Sequence, residues 1–433
     1  EIICKLQQWK ERKDRKPLIV QGARQIGKTT AIRMFAQESY AHLAEFNFDK
    51  NKELKTLFER TKDIKRILQE LTFFTDVPIQ SEGTLIFFDE IQECPEARTA
   101  LKFFKEDGRF DVIGTGSLLG VKGYGKSPKS IPVGSETLIE MYPLDFEEFL
   151  WAKGITTEII DFLKKHLLEE QPIPEALHNN LQQLLVQYVA VGGMPEVVKT
   201  FVLTNQMDKV LSLQRNIVSS YEDDMVKYAS ASDKPLIKEC FLSIPKQLSK
   251  ENKKFQYSVI KKGTKSSNFR GSLQWLEDVG IITRCYNINK PELPLEGNAI
   301  QDVFKVYMRD TGLFVSMLEE GTQFDILQGN LYGYKGAIYE NLIADIFTKM
   351  GRKLYYFHKD SGLEIDFVTR YNGEISLIEV KANSGNVKST KTVLSNPEKY
   401  HVHRAIKLGR YNIGRNDKIL SLPLYMGFLL TEY

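Results

Sequence analysis

Cysteine is scarce and scattered. Cys4, Cys94, Cys240 and Cys285 are the only four in 433 residues, and no C-x-x-C spacing occurs. That excludes a zinc ribbon and a disulfide framework, and it fits a reducing compartment. An excess of one charge is lacking too: 59 Lys and Arg stand against 56 Asp and Glu, a net of +3. Global charge therefore points neither to nucleic acid nor to a lipid surface, and any such binding rests on local clusters. No apolar run nears the roughly 20 residues that span a bilayer. No basic-then-apolar leader opens the sequence at Glu1. A cytoplasmic protein without a membrane partner is expected. Internal repeats and low-complexity tracts are missing as well. What remains is 42% apolar and 27% charged, an ordinary globular composition. A chain of this length is expected to form roughly two to four domains.

The most informative stretch is Gly22-Ala23-Arg24-Gln25-Ile26-Gly27-Lys28-Thr29, a complete G-x-x-x-x-G-K-[ST] loop. Pro17–Gln21 before it reads as a buried strand, and Thr29–Ala36 after it as a helix without Pro or Gly. Glycines let successive N–H groups turn toward phosphates, and the helix start adds partial positive charge. Lys28 would reach the β- and γ-phosphates, and the Thr29 hydroxyl a Mg²⁺ ion; Thr30 completes the cradle. Thr84–Phe88 is an apolar run ending in Asp89-Glu90, a Walker B pattern. Asp89 is expected to hold Mg²⁺, and Glu90 to polarise the attacking water. A third strand, Phe110–Ser117, ends in small hydroxyl residues; the resemblance to AAA-type P-loop ATPases implies a γ-phosphate sensor there, Ser117 or Thr115, and an ordinary polar strand end is the alternative.

Around these motifs the pattern alternates between strand and helix. Residues 1–16 read as a helix carrying Trp9, Leu43–Phe48 as a strand, and 51–72 as two helices. The Gly-, Lys- and Ser-rich segment Gly120–Gly134 reads as a long mobile loop, and Met141–Leu150 as a strand entering a helix. The α/β alternation predicts a parallel sheet covered on both faces, with ligand at the C-terminal strand ends. Residues 1–150 are thus the expected ATPase domain, and 151–232 a helical lid or connector. Over 233–290 the order helix, helix, turn, helix, strand predicts a winged helix-turn-helix. Its third helix starts at a polar cluster, making Lys261, Lys262, Lys265, Asn268 and Arg270 candidate nucleic-acid contacts. Protein–protein contact is the alternative use of such a module. Residues 291–330 are the expected connector to a final domain, 331–433.

That last stretch holds a second chemical pattern. Helix 336–350 places Ala337, Glu340, Ile343, Ala344 and Phe347 on one stripe, where a glutamate needs a partner. Leu363–Val368 and Ile375–Ala382 read as strands joined at Asn372-Gly373. Strand periodicity turns Glu379 and Lys381 to one face, and the hairpin can bring Asp366 beside them. Two carboxylates can share a divalent cation at a scissile phosphate, with a lysine placing the water or stabilising charge. Glu340, Asp366, Glu379 and Lys381 are the catalytic candidates, and Asp366 and Glu379 the metal ligands. A structural salt bridge, or a nuclease shape without catalysis, would use the same residues.

Taken together, the chain resembles prokaryotic AAA-type ATPases with a C-terminal restriction-endonuclease-like, PD-(D/E)xK, domain. The resemblance rests on the phosphate loop, on Leu85–Glu90, on Thr115-Gly116-Ser117, on Tyr142–Leu150, on Phe304–Leu313 and on Glu340, Asp366, Glu379 and Lys381. Gly134 is followed by Ser135 where many members carry Gly-Arg, and no arginine finger is assigned. The resemblance implies ATP and Mg²⁺ as cofactors and ATP hydrolysis coupled to a domain directed at DNA or RNA. The alternative is an ATP-dependent switch that binds nucleic acid, its own copies or a protein partner.

Overall fold

The structure, a computed structural model, describes residues 1–117, 134–228, 233–250, 253–260, 267–330, 332–382 and 387–431. The chain forms two compact units, one made mainly of Glu1–Tyr142 and one holding nearly all that follows. The segment Gly120–Gly134, expected as a loop, lies almost wholly outside the described residues, as do Lys261, Lys262 and Lys265.

In the first unit, β1 (Leu18–Gln21), β2 (His42–Asn47), β3 (Thr84–Asp89), β4 (Asp111–Gly116) and β5 (Thr137–Glu140) form a sheet in the order β2-β3-β4-β1-β5. Every pairing is parallel. Parallel strands buried on both faces need continuous apolar runs, and β3 supplies one. Its Ile86 and Phe88 pack with Phe46, Phe48, Phe58 and Phe104, while Leu85 and Phe87 pack with Leu6, Trp9, Ile32 and Phe35 on the other face. The leading helix is shorter than expected, Ile2–Glu11, and Trp9 anchors the following turn by donating to the Lys16 carbonyl at 2.8 Å.

The expected strand at Met141 is displaced toward the N-terminus. β5 already ends at Glu140, and Met141 adds one last bond to Gln21, at 2.8 Å. Pro143 has no N–H to continue a ladder. Asp145 then starts the helix Phe146–Ala152 through a reciprocal capping box with Glu148.

The second unit opens with that helix, Phe146–Ala152, followed by Thr157–Glu169, Glu175–Val191, Pro195–Thr204 and Met207–Tyr228. Helices Lys234–Leu248, Tyr257–Ile260 and Ser267–Asp278 follow, and the last buries Phe269, Leu273 and Leu276 as its period predicts. Next come β6 (Ile282–Ile288) and its antiparallel partner β7 (Ala299–Met308). β8 (Leu354–Lys359) pairs in parallel with β6 and antiparallel with β9 (Leu363–Ile365). A second sheet has the order β10-β11-β12-β14-β13, from β10 (Phe367–Tyr371), β11 (Glu374–Val380), β12 (Arg404–Gly409), β13 (Gly414–Asn416) and β14 (Ile419–Pro423). Asn372 and Gly373 take φ of 49° and 78° between β10 and β11, the backbone twist a two-residue hairpin favours.

Helix Lys335–Lys349 corrects the expected single apolar stripe: every residue from Ala337 to Lys349 is buried. Its polar side chains are admitted because each finds partners. Asn341 brackets the Met308 peptide, receiving its N–H at 2.8 Å and donating to its carbonyl at 3.2 Å. Lys349 donates to the Leu144 carbonyl at 3.1 Å, the Tyr188 hydroxyl at 2.9 Å and Asp345 at 3.1 Å. Nearby, Asp310 caps helix Thr311–Ser316 through the Leu313 N–H and accepts the Gly193 N–H at 2.6 Å. Gly193 must lack a side chain, because a Cβ there would lie 1.9 Å from the Leu144 carbonyl oxygen. Among the described residues, no helix is long and apolar enough to cross a membrane.

Candidate functional site

The phosphate loop leaves β1 at Gln21 and enters helix Lys28–Ser39. Gly22 has φ 153°, and a Cβ on it would fall 2.2 Å from the Met141 carbonyl oxygen. Gln25 and Gly27 follow with φ of 63° and 90°, so the backbone curls over the helix start. Ala23 and Ile26 are buried beneath the loop, Arg24 is half-buried, and Gln25 and Thr30 are exposed. Lys28 is buried, and its ammonium donates to the carbonyls of Gly22 at 3.1 Å and Ala23 at 2.7 Å. Burial pulls its pKa down to about 8, against the opposing pull of Glu90 and Asp89.

Asp89 ends β3 and collects three side chains. Thr29 lies 3.1 Å from one carboxylate oxygen, Thr115 donates to the same oxygen at 2.5 Å, and Asn47 donates to the other at 2.9 Å. Of the two sensor candidates, Thr115 therefore joins the Asp89 cluster. The Ser117 hydroxyl is buried and has no hydrogen-bond partner among the described residues. Glu90 adopts φ 53°, an uncommon left-handed geometry outside glycine, and its carboxylate accepts from the Gln92 amide. Asn47 went unassigned in the sequence, although its strand was recognised. Its role follows from register, since parallel pairing sets Asn47 directly opposite Asp89. The Thr29 and Asp89 oxygens are the hard donors that Mg²⁺ prefers, so the residues present fit that ion.

The second cluster forms in the second unit, where one strand breaks in two. β9 pairs with β8, β10 pairs with β11, and Asp366 is the residue between them. Its carboxylate accepts the Val380 N–H at 2.8 Å. Glu379 on β11 accepts the Thr390 hydroxyl at 2.5 Å and the Lys381 ammonium at 2.9 Å. Burial first, then the charges of Glu340 and Glu379, push the Asp366 carboxyl well above the usual range. Asp366, Glu379 and Lys381 thus share one neighbourhood, as the hairpin geometry anticipates.

Glu340 meets three groups that the sequence reading missed. Tyr307 donates to it at 3.2 Å, the Lys305 ammonium lies 3.7 Å away, and Lys253 pairs with its other oxygen. Burial disfavours the Glu340 charge, but Lys305 and Lys253 outweigh it and hold the carboxyl below its ordinary value. Lys305 is fully buried and also bonds Glu364 at 2.9 Å. A lysine inside the apolar run Val303–Met308 was the available signal for it; Lys253, among other lysines, gave none. Among the described residues, no group of three or more His, Cys, Asp or Glu is arranged to hold a metal ion. Mg²⁺ is often held by one or two carboxylates plus substrate phosphate, and the hard oxygens present here for such a set are those of Asp366 and Glu379.

At the third helix of 233–290, Asn268 lies within helix Ser267–Asp278, and Arg270 is exposed and paired with Asp302 of β7 at 2.7 Å. An exposed pair of this kind adds little stability, so the guanidinium is readily exchanged to another anion.

Comparison with known proteins separates the chain into three matched stretches. Residues 14–150 match the family model described as AAA domain. Residues 182–323 and 335–425 match two models described as domains of unknown function, DUF8612 and DUF4143. No curated protein matches. Among solved structures, the Walker-type ATPase PABY2304 of Pyrococcus abyssi is 14% identical over 73% of this chain and 94% of its own, with a TM-score of 0.43. The Aeropyrum pernix Orc1 protein, solved in complex with DNA, is 13% identical over 76% of this chain and 90% of its own, at 0.28. PCH-2 of C. elegans is 10% identical over 51% of this chain and 65% of its own, at 0.26. With the loop, the parallel sheet and the Asp89 cluster in place, residues 14–150 are an AAA-type P-loop ATPase domain.

Proposed function

We propose that the chain hydrolyses ATP in its first unit and acts on a nucleic-acid backbone through the carboxylate cluster of its second. The observation that carries the reading is that each cluster gathers at strand ends: Thr29, Asn47, Asp89 and Thr115 come from four separate segments, and Asp366, Glu379 and Lys381 come together across the β10–β11 hairpin. In the first, Lys28 neutralises phosphate charge, Thr29 and Asp89 hold Mg²⁺, and Thr115 and Asn47 fix the Asp89 carboxylate. Glu90 stands next along the chain as the base that takes a proton from water. Mg²⁺, when bound, supplies charge neutralisation at the β- and γ-phosphates.

In the second unit, Asp366 and Glu379 are the oxygen donors for a divalent cation, and Lys381 lies where it can stabilise charge developing on a phosphate. The cation, when bound, would polarise the scissile phosphate. The helices of 233–290 followed by β6 and β7 support a winged-helix reading, with Lys261, Lys262, Lys265, Asn268 and Arg270 as backbone contacts. A second reading is favoured by the lysines that already neutralise Glu340 and Glu379: an ATP-dependent switch whose nuclease-like part binds nucleic acid or a protein without cutting.

Three variants test the assignment. Lys28→Ala is expected to lose most ATP affinity by calorimetry, and Glu90→Gln to keep affinity and lose turnover. Wild type with Mn²⁺ is expected to cut DNA or RNA, and Asp366→Asn is not. Equal affinity in Lys28→Ala removes the nucleotide assignment. An absence of cleavage in wild type selects the switch.

A further inference from the structure

We propose that Lys253 is a removable gate on the C-terminal carboxylate cluster, occupying the place in its charge balance that a divalent cation must take. The inference rests on the reading of Asp366 and Glu379 as cation ligands. Three buried carboxylates, Glu340, Asp366 and Glu379, act on one another electrostatically, and the partly exposed Glu364 joins them through Lys305. Three ammonium groups face them: Lys253 on Glu340, Lys305 between Glu340 and Glu364, and Lys381 on Glu379. The lysines already supply most of the positive charge this buried site can balance. With all four carboxylates ionised the cluster stands one charge negative; a cation carrying two further charges turns it one positive, and withdrawal of one ammonium restores neutrality.

Their anchoring decides which one leaves. Lys305 is in β7, its side chain 1% exposed and its ammonium 4.8 Å from the Tyr356 ring centre. Lys381 follows β11 directly, and its N–H continues the ladder to Leu408 at 2.8 Å. Lys253 sits on neither helix nor strand, in the connection between Lys234–Leu248 and Tyr257–Ile260. Its side chain is 15% exposed, less than the 28% of Lys381, so the choice between the two rests on the backbone: that of Lys381 is held in the ladder and that of Lys253 is not. A flexible four-carbon stem lets it withdraw without moving the sheets. It also lies beside a residue with no side chain: a Cβ on Gly336, one turn before Glu340, would be 3.7 Å from its nitrogen. The gate belongs to the connection within the helical segment 233–290, so whatever engages that segment can also set the gate.

Mn²⁺ alone is titrated into the full chain without nucleotide, and Asp366→Asn identifies the heat that belongs to this cluster. Lys253→Met is expected to bind Mn²⁺ at least tenfold more tightly than wild type. Lys253→Arg, which grips a carboxylate with two donors, is expected to bind it more weakly. Equal affinities in the three proteins overturn the gate and leave the cation reading standing. A lack of Asp366-dependent binding in any of them overturns both. A measurement on wild type stands if a variant fails to fold: labelling of Lys253 by an amine-reactive reagent, read by mass spectrometry. Labelling is expected to rise severalfold on adding Mn²⁺, and unchanged labelling overturns the proposal.

Discussion

Asp89 shows how a single carboxylate is aimed. Thr29, Thr115 and Asn47 surround it, and the Asn47 side chain is itself fixed because its carbonyl accepts the N–H groups of Asp49 at 3.1 Å and Lys50 at 2.9 Å. A group that orients a metal ligand typically contributes roughly 10- to 100-fold in metal affinity or activity. Asn47→Ala is therefore expected to keep ATP affinity measured without Mg²⁺ and to lose turnover, with a raised Mg²⁺ requirement. Unchanged Mg²⁺ dependence in steady-state hydrolysis would show that Thr115 suffices. The phosphate loop and Asp89-Glu90 were legible in the sequence because each is contiguous and its chemistry is local. The partners of Asn47 and Lys305 were not, because they follow from which strand lies beside which, and that of Lys253 was not, because it follows from a connection that reaches helix Lys335–Lys349. Glu340 was legible as an oddity, a charge among apolar neighbours, though its partners were not.

At the scale of elements, the β10–β11 hairpin and helix Lys335–Lys349 carry the second cluster. The hairpin's turn requires two left-handed residues. Asn372→Ala is expected to lower stability by about 1 kcal/mol in chemical denaturation, while Asn372→Gly stays near wild type; equal loss in both would place the effect outside backbone geometry. The helix brings Asp345 and Lys349 into a buried cluster with Asp310. Burial, together with Asp310 and against Lys349, raises the Asp345 pKa to about 7. In the unfolded chain it titrates near ~3.9. A carboxyl whose pKa is higher when folded gives stability that is complete below the unfolded value and lost as pH rises through the folded one. Asp310 is shifted in the same direction. Thermal midpoints are thus expected to fall between about pH 4 and 7, and more steeply in wild type than in Asp345→Asn. Identical slopes would move the effect elsewhere. The hairpin was readable from Asn-Gly, but the helix misled, because a period of apolar residues cannot announce that the polar face is buried as well.

For the molecule as a whole, the balance of +3 sets what binding can look like. Attraction to a polyanion must come from a few residues, so binding to duplex or single-stranded DNA is expected to weaken with salt along a shallow line. Arg270→Glu should reduce the magnitude of that log–log slope by about one. Salt-insensitive association would point to a protein partner. The order of elements was largely visible from the alternation of strand and helix. The gathering of helices and C-terminal sheets into one unit was not, since it depends on buried contacts such as Lys349 with Leu144 and Gly193 with Asp310, which join distant parts of the chain.

The hydrogen bonds of Asn47 have one more consequence. One side-chain amide joins the carboxylate at the end of β3 to an exposed turn at Asp49 and Lys50. Any swing of Asp89 therefore pulls on the turn. A dye attached in place of the exposed Lys50 side chain is expected to report a displacement of Asp89 through these bonds.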